Sequence, residues 1–228
     1  MQVFILFPTI IRILDFVLTI SKTTIRNSVK RGKTRLLILD AAAKMISLHG
    51  YHGTFLKDIA ASINMKAGSL YYHFDSKEAL MHEVLDKSVK VIYDTVNVEV
   101  EKLGEQPSFP ELLKAAIRGH LLAIFKYPDY TLASIRNYGV IPDSVHKAAQ
   151  KDRDAYEEFW RDFFDKAEIA GVIRPSVDKN LLRLAIFGSM NWSSLWYEKS
   201  GASVEQIAES QADLFLNGCY QKGETSGI

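Results

Sequence analysis

The stretch Thr54–Phe74, TFLKDIAASINMKAGSLYYHF, reads as two short helices joined by a tight turn. In its first half Leu56, Ile59, Ala60 and Ile63 recur at i, i+3, i+4 and i+7, the period of one buried helical face. Thr54 stands where an N-cap belongs. Asn64 tolerates the left-handed conformation that ends a helix, and Met65 is placed to pack inward as the chain turns. A second helix is expected from Lys66 to Tyr72. Its apolar positions are Ala67, Leu70 and, just beyond it, Phe74; between them Lys66, Gly68, Ser69, Tyr71, Tyr72 and His73 make a face too polar and aromatic for a core. In a helix-turn-helix the second helix lies in the major groove, where small residues allow close approach and hydroxyls reach phosphates or base edges. The competing reading of these residues alone is an ordinary helical hairpin with a solvated face.

The flanks favour the first reading. From Thr34, the residues Leu37, Ile38, Ala41, Ala42, Met45, Ile46 and Leu48 trace an apolar stripe at helical spacing, with Gly50 in the C-cap position. This helix supplies a surface on which the two-helix unit can pack. After Phe74, either Asp75 or Ser76 caps a new helix with Glu78 in its first turn. Lys77 conflicts with the helix dipole there, a conflict that a bound phosphate resolves. Upstream, Ser21–Arg35 carries Lys22, Arg26, Lys30, Arg31, Lys33 and Arg35 with no acid among them, so it is expected to be a mobile arm that attracts phosphates, or a solvated basic leader.

The whole chain of 228 residues has a net charge of only +1, so the total announces no acidic partner. The distribution does. Ser21–Lys90 holds twelve Lys or Arg against six Asp or Glu, whereas Val91 to the end holds fifteen against twenty. A basic front and an acidic back suit a nucleic-acid module joined to a body with another task. The single cysteine, Cys219, excludes an internal disulfide and fits a reducing cytoplasm.

Ile38–Leu80, ILDAAAKMISLHGYHGTFLKDIAASINMKAGSLYYHFDSKEAL, closely resembles the N-terminal DNA-binding domain of the tetracycline-repressor (TetR) family of bacterial transcription regulators. The likeness rests on the Ala-rich first helix ending in Gly50-Tyr51, on Thr54, Asp58-Ile59-Ala60 and Gly68 to Phe74, and on Ser76 to Leu80. Where the family often has Ser or Thr capping the recognition helix, this chain has Lys66. The resemblance implies that Thr54 and Tyr71 contact phosphates and that Lys66, Ala67, Gly68 and Ser69 approach bases or backbone. It also implies that Tyr72 and His73 border the groove and that Lys77 holds a phosphate. The fold expected is all-α: a three-helix DNA-binding domain over 34–80 and a helical effector-binding and dimerisation domain over 81–221. Residues 1–33 form an apolar extension with a basic arm, and 222–228 a tail.

The body shows no Gly-rich strand-to-helix turn and no period-2 alternation. Its punctuation predicts helices over 78–103, 109–125, 130–138, 144–170, 177–197 and 203–220. Tyr156, Phe159, Trp160, Phe163, Phe164 and Ala167 line one long helix, and Leu181, Leu184, Ala185, Gly188 and Trp192 another. The family pairs its equivalent helices across a two-fold axis, which implies a homodimer through 144–170 and 177–197. Aromatic and polar residues in the body suit an apolar cavity with a few anchors. The candidates are Phe125, Arg136, Tyr138, Phe163, Phe187, Asn191, Trp192 and Trp196. Phe187–Tyr197 is similar to the penultimate helix of family members that sense acyl-CoA thioesters, so an acyl-CoA is the leading effector and an aromatic or multidrug-type ligand the alternative.

No catalytic residue, metal ligand set or cofactor motif emerges: there is no nucleophile elbow or phosphate loop, and His49 and His52 are split by Gly50. Met1–Ile20 is apolar but interrupted by Pro8, Arg12 and Asp15, which fits neither a membrane span nor a signal peptide. It is an extra helix, a membrane-surface element or an upstream extension, the last being favoured. The resulting expectation is a cytoplasmic regulator of operator DNA, by default a repressor, released by a small hydrophobic effector. A membrane-surface protein is the reading from another class.

Overall fold

The computed structural model describes residues 7–148 and 150–219. The regular elements of the described residues are helices, with only an isolated bridge residue at Ile173 and no strand. The first helix, α1 (Phe7–Gly53), is broken at Gly50, whose φ of 74° only glycine adopts easily; the helix proper therefore ends where the sequence placed its C-cap. Ser21–Arg35, expected as a mobile arm, continues the helix upstream instead. Of the 1–20 extension only the backbone from Phe7 is described, and the 222–228 tail lies outside the described residues.

Next come α2 (Leu56–Ser62) and α3 (Ala67–Leu70), then the long α4 (Lys77–Glu101), which Ser76 caps by accepting from the Ala79 N–H at 3.0 Å. The body continues with α5 (Phe109–Lys126), α6 (Pro128–Asn137), α7 (Asp143–Ala148), α8 (Gln150–Ile169), α9 (Lys179–Trp192), a 3-10 turn at Ser193–Leu195, α10 (Tyr197–Ser200) and α11 (Val204–Cys219). Asp178 caps α9 through the N–H groups of Asn180 and Leu181. Ser203 and Gln206 cap α11 reciprocally, the N–H of each donating to the other's side-chain oxygen.

The helix predicted over 177–197 stops early for a local reason. Ser189, Ser193 and Ser194 each turn a hydroxyl back onto a helix carbonyl three or four residues before them. Such bonds compete with the regular ladder, and the chain tightens into a 3-10 turn.

Two apolar cores form. The first gathers Ile38, Ala42 and Ile46 of α1, Ile59 and Ala60 of α2, Leu70, Phe74 and the first half of α4; it does not stop at Leu80, since Tyr130, Ala133, Ile141 and Val145 from α6 and beyond join it. The second lies among α4, α5, α8, α9 and α11, around Trp160, Phe164, Ile186 and Met190. Here α8 turns Tyr156, Trp160, Phe164 and Ala167 inward, so most of the stripe expected to meet a second copy is intramolecular core. The stripe of α9 does the reverse: Leu181, Leu184, Ala185, Gly188 and Trp192 all face outward. No helix among the described residues is long and apolar enough to cross a membrane.

Candidate functional site

The reading head is built as the sequence requires. Asn64 takes φ 54°, and the N–H of Met65 returns to the carbonyl of Ala60 at 2.8 Å, closing α2 and turning the chain sharply. Lys66 then occupies the N-cap of α3 without a side-chain cap, the weakness its substitution for Ser or Thr implies. The helix proper is one turn; beyond Leu70 the N–H groups of Tyr72 and His73 bond three residues back, a 3-10 tightening. Leu70 and Phe74 are fully inside, which fixes the opposite face outward.

That outward face carries Lys66, Ala67, Gly68, Tyr71 and Tyr72, all exposed, with Ser69 half-buried at its edge. A Cβ on Gly68 would meet no atom within 4 Å, so the backbone there is open to close approach from outside. The last described turns of the upstream basic segment stand beside it. Lys30, Arg31 and Thr34 of α1, with Tyr72 and His73, wall a groove of about 440 Å³, and Arg31 donates to the Tyr72 carbonyl at 3.4 Å. Burial first, then the charges of Arg31 and Arg35, hold the His73 pKa below its usual value.

Two expectations change, and Lys77 gains a setting. Thr54 is completely buried and donates its hydroxyl to the Gly50 carbonyl at 2.8 Å, while Phe55 takes the N-cap position of α2; Thr54 braces the kink and cannot reach a phosphate in this arrangement. Arg35, read as part of a phosphate-seeking arm, is bound to Glu83 and the His73 carbonyl, with its guanidinium 4.0 Å above the Phe74 ring. Lys77 is half-buried, its ammonium 4.2 Å over the Tyr51 ring; burial lowers its pKa against the opposing pull of Glu78. The Tyr51 hydroxyl donates to Glu78 at 3.1 Å, and burial together with that carboxylate pushes the tyrosine pKa up to about 12. Lys77 is thus held at the start of α4, over the Tyr51 ring and near that of Phe55.

The body does not assemble the eight effector candidates in one place. Phe163, Phe187 and Asn191 share one aromatic core. Phe125, stacked on Tyr197 at 3.7 Å, and Trp196, which also lines a groove between α9 and α11, pack on the same core, whereas Trp192 is 65% exposed. Arg136 and Tyr138 sit at the far end of α6, Arg136 donating to the Ser47 carbonyl of α1 and Tyr138 lying under Arg153. The sequence missed the centre of the core, His120. It is 3% exposed, with Nδ1 2.7 Å from the Tyr156 hydroxyl and Nε2 3.1 Å from Asn191 Oδ1. Because an amide oxygen only accepts, Nε2 carries the hydrogen and Nδ1 accepts from Tyr156. Rings of Tyr156, Phe187 and Trp160 close around this pair. A lone histidine within an apolar helix gives no signal until its partners, 36 and 71 residues away, are in place.

Burial pushes the His120 pKa down to about 4. The folded chain therefore refuses a proton that the unfolded chain binds below its ordinary value near 6.5. Stability from this group is complete above pH 6.5 and is lost as pH falls toward 4, by about 3 kcal/mol in all. Urea unfolding between pH 7 and 4 should show this fall in the native chain, and His120→Gln should lack that part of the slope. Equal slopes in the two proteins would remove His120 as its source.

Comparison with known proteins adds to this geometry. Residues 38–84 match the family model described as bacterial regulatory proteins, tetR family, and residues 107–219 the tetracyclin repressor-like C-terminal domain. The transcriptional repressor KstR2 of Mycobacterium tuberculosis H37Rv is 25% identical over 195 residues, covering 82% of this chain and 92% of that protein. Its structure, as a ketosteroid transcriptional regulator, superimposes with a TM-score of 0.68 at 22% identity over 85% of this chain and 96% of that one. The biofilm-operon regulator IcaR of Staphylococcus aureus Newman is 48% identical over 60 residues, 26% of this chain and 30% of that protein. The structure of AibR in complex with isovaleryl coenzyme A and operator DNA gives a TM-score of 0.69 at 24% identity, over 79% of this chain and 97% of that one.

Proposed function

Since the chain belongs to the TetR family of bacterial transcription regulators, we propose that it is a cytoplasmic homodimeric repressor that binds operator DNA and is released by a small hydrophobic effector, with an acyl-CoA thioester favoured. The observation that carries the DNA reading is the outward face of α3, where Lys66, Ala67, Gly68, Tyr71 and Tyr72 stand clear of the core with Ser69 and His73 at the margin, beside the groove of Lys30 and Arg31. Small residues at the start of that face allow backbone approach to base edges, and the tyrosine hydroxyls and basic side chains suit phosphates.

Lys77 supplies a phosphate contact at the start of α4, pre-positioned on the Tyr51 ring. Lys77→Ala is expected to weaken binding to every duplex alike and to reduce the slope of log affinity against log salt by about 2, one for each protomer of the dimer. Fluorescence anisotropy at several salt concentrations reads both quantities, and an unchanged slope removes this lysine from the interface.

The dimer forms through α9 and α11, with α8 behind them. The outward stripe of α9 meets its own copy, and the adjoining groove of about 450 Å³ between α9 and α11, lined by Trp192, Trp196, Ile207 and Leu214, extends the same apolar surface.

For the effector, the supporting observations are an aromatic core with one polar node at His120, Tyr156 and Asn191, and the likeness to AibR, whose structure holds isovaleryl coenzyme A, and to the ketosteroid regulator KstR2. Both point to apolar bodies, which the aromatic lining of this core suits, and an effector carbonyl would take the place of one of the hydrogen bonds within the node. Phe125, Phe163, Phe187, Asn191 and Trp196 are the candidates that pack on that core. The deciding experiment is selection of bound duplexes from random DNA, repeated with a chain-length series of acyl-CoAs. Recovery of a two-fold-symmetric sequence that is lost with one thioester supports the reading. Recovery of no sequence overturns it.

A further inference from the structure

The polar contacts between the body and the end of α1 converge on one side chain that neither the DNA reading nor the effector reading uses. Asn137, the last residue of α6, is 3% exposed, and its amide is fully engaged. Its Oδ1 accepts from the Tyr51 N–H at 2.7 Å, and its Nδ2 donates to the carbonyls of Ala133, at 2.9 Å, and Ile46, at 3.4 Å. Two of these bonds span 86 and 91 residues of chain.

The N–H it satisfies is one that a broken helix leaves behind. Gly50, at φ 74° and ψ 168°, breaks the ladder at the Tyr51 N–H and at its regular partner, the Ser47 carbonyl, so both need partners from elsewhere; Asn137 takes the N–H and also reaches the Ile46 carbonyl. A neutral side chain that accepts from the Tyr51 N–H and donates to two carbonyls needs one acceptor oxygen and two N–H groups, which an amide supplies. Gly50 is needed here for its φ of 74°, since a Cβ there would meet Asn137 Oδ1 only at an ordinary contact distance of 3.4 Å. Next to this contact, Arg136 donates to the Ser47 carbonyl. At the other end of α6, Tyr130 donates to Asp40 at 2.5 Å, and Lys87 joins both. The helix α6 is therefore fastened to α1 at both ends, with Ala133 fully buried between.

We propose that Asn137 is a positioning residue for the reading head: it fixes the Gly50–Tyr51 kink and, through Tyr51, the ring on which Lys77 stands and the start of α2. This rests on the chain being a DNA-binding regulator. With the clasp in place, the head is presented to DNA already ordered. Without it, the same contacts form at the cost of ordering the kink during binding. Affinity should then fall while the number of phosphates contacted, and so the salt slope, stays as it was.

The test uses the full chain with Asn137→Leu, which keeps the volume and removes all three bonds, and Asn137→Asp, which keeps the acceptor for Tyr51. Amide exchange over residues 46–54 is measured without DNA, and affinity is measured across salt for duplexes that the wild-type chain selects from random DNA. Asn137→Leu is expected to speed exchange at Tyr51 about tenfold or more, leave α8 and α9 protected, and weaken binding about tenfold at an unchanged salt slope. Asn137→Asp is expected to retain slow exchange at Tyr51 and to lie between the other two in affinity. Wild-type exchange at Tyr51 in Asn137→Leu, or acceleration spread equally over α8 and α9, overturns the proposal, as does wild-type affinity with an opened kink. Should the wild-type chain select no duplex, the DNA-binding reading falls by itself, and wild-type or accelerated exchange at Tyr51 still rejects or upholds the clasp.

Discussion

Gly119→Ala is expected to lower the unfolding free energy by about 2 kcal/mol, although the change is to the best helix former in the middle of a helix. Propensity alone would stabilise α5 by about 1 kcal/mol. Against that stands the crossing of α4 and α5. A Cβ on Gly119 would lie 2.6 Å from the Val96 Cα, 3.0 Å from the Thr95 carbonyl oxygen and 3.1 Å from the Val96 nitrogen. All three atoms are backbone, so no rotamer change relieves the overlap and one helix must move away from the other. Overpacking of this kind costs about 1–3 kcal/mol and occasionally more, and a contact between two backbones belongs at the upper end. Separating these helices also loosens Leu113, Ile117 and Leu121 from Val96, the seam of the second core. Denaturant unfolding at pH 7 measures the change. A midpoint at or above that of the native chain would mean that the two helices tolerate the displacement and that this close crossing does not govern stability.

How far such a contact is visible beforehand depends on what kind of information it carries. Local chemistry was legible. Gly50 ends its helix, Asn64 takes the left-handed turn, Ser76 caps α4, and the mixed face of α3 points away from the core, each for a reason confined to a few neighbouring residues. Partners distant in sequence were not legible. Thr54 has the residue type of an N-cap, and only the kink at Gly50 draws its hydroxyl away. His120 and Asn137 are single polar residues in helical runs, and nothing near them indicates the groups they serve 36 to 91 residues off. Periodicity has the same limit at larger scale. The stripes of α8 and α9 look alike as sequences, since an apolar face records that something covers it and not whether the cover is the same chain. In the fold α8 keeps its stripe within and α9 leaves its own outside.

That difference yields the largest effect expected on function. Leu184 is 55% exposed and sits in the middle of the α9 stripe, with Leu181 one turn before it and Gly188 one turn after. In the isolated protomer Leu184→Glu replaces a surface side chain on a helix, which changes stability by no more than about 0.5 kcal/mol. In the proposed dimer the same side chain is buried, and the two-fold axis brings its copy to the same interface, so two carboxylates lose water with no cation opposite. Even partial relaxation leaves a penalty of several kcal/mol, enough to raise the dimer dissociation constant by about a hundredfold or more. A lone protomer has one reading helix and half the phosphate contacts, so affinity for a two-fold operator should fall with it. Sedimentation velocity at micromolar concentration should show a monomer of unchanged helicity, and the selected duplex should bind about a hundredfold more weakly. A dimer that survives Leu184→Glu with its DNA affinity intact would take the interface off α9; a dimer lost together with helicity would mean that the stripe supports the fold of the protomer itself.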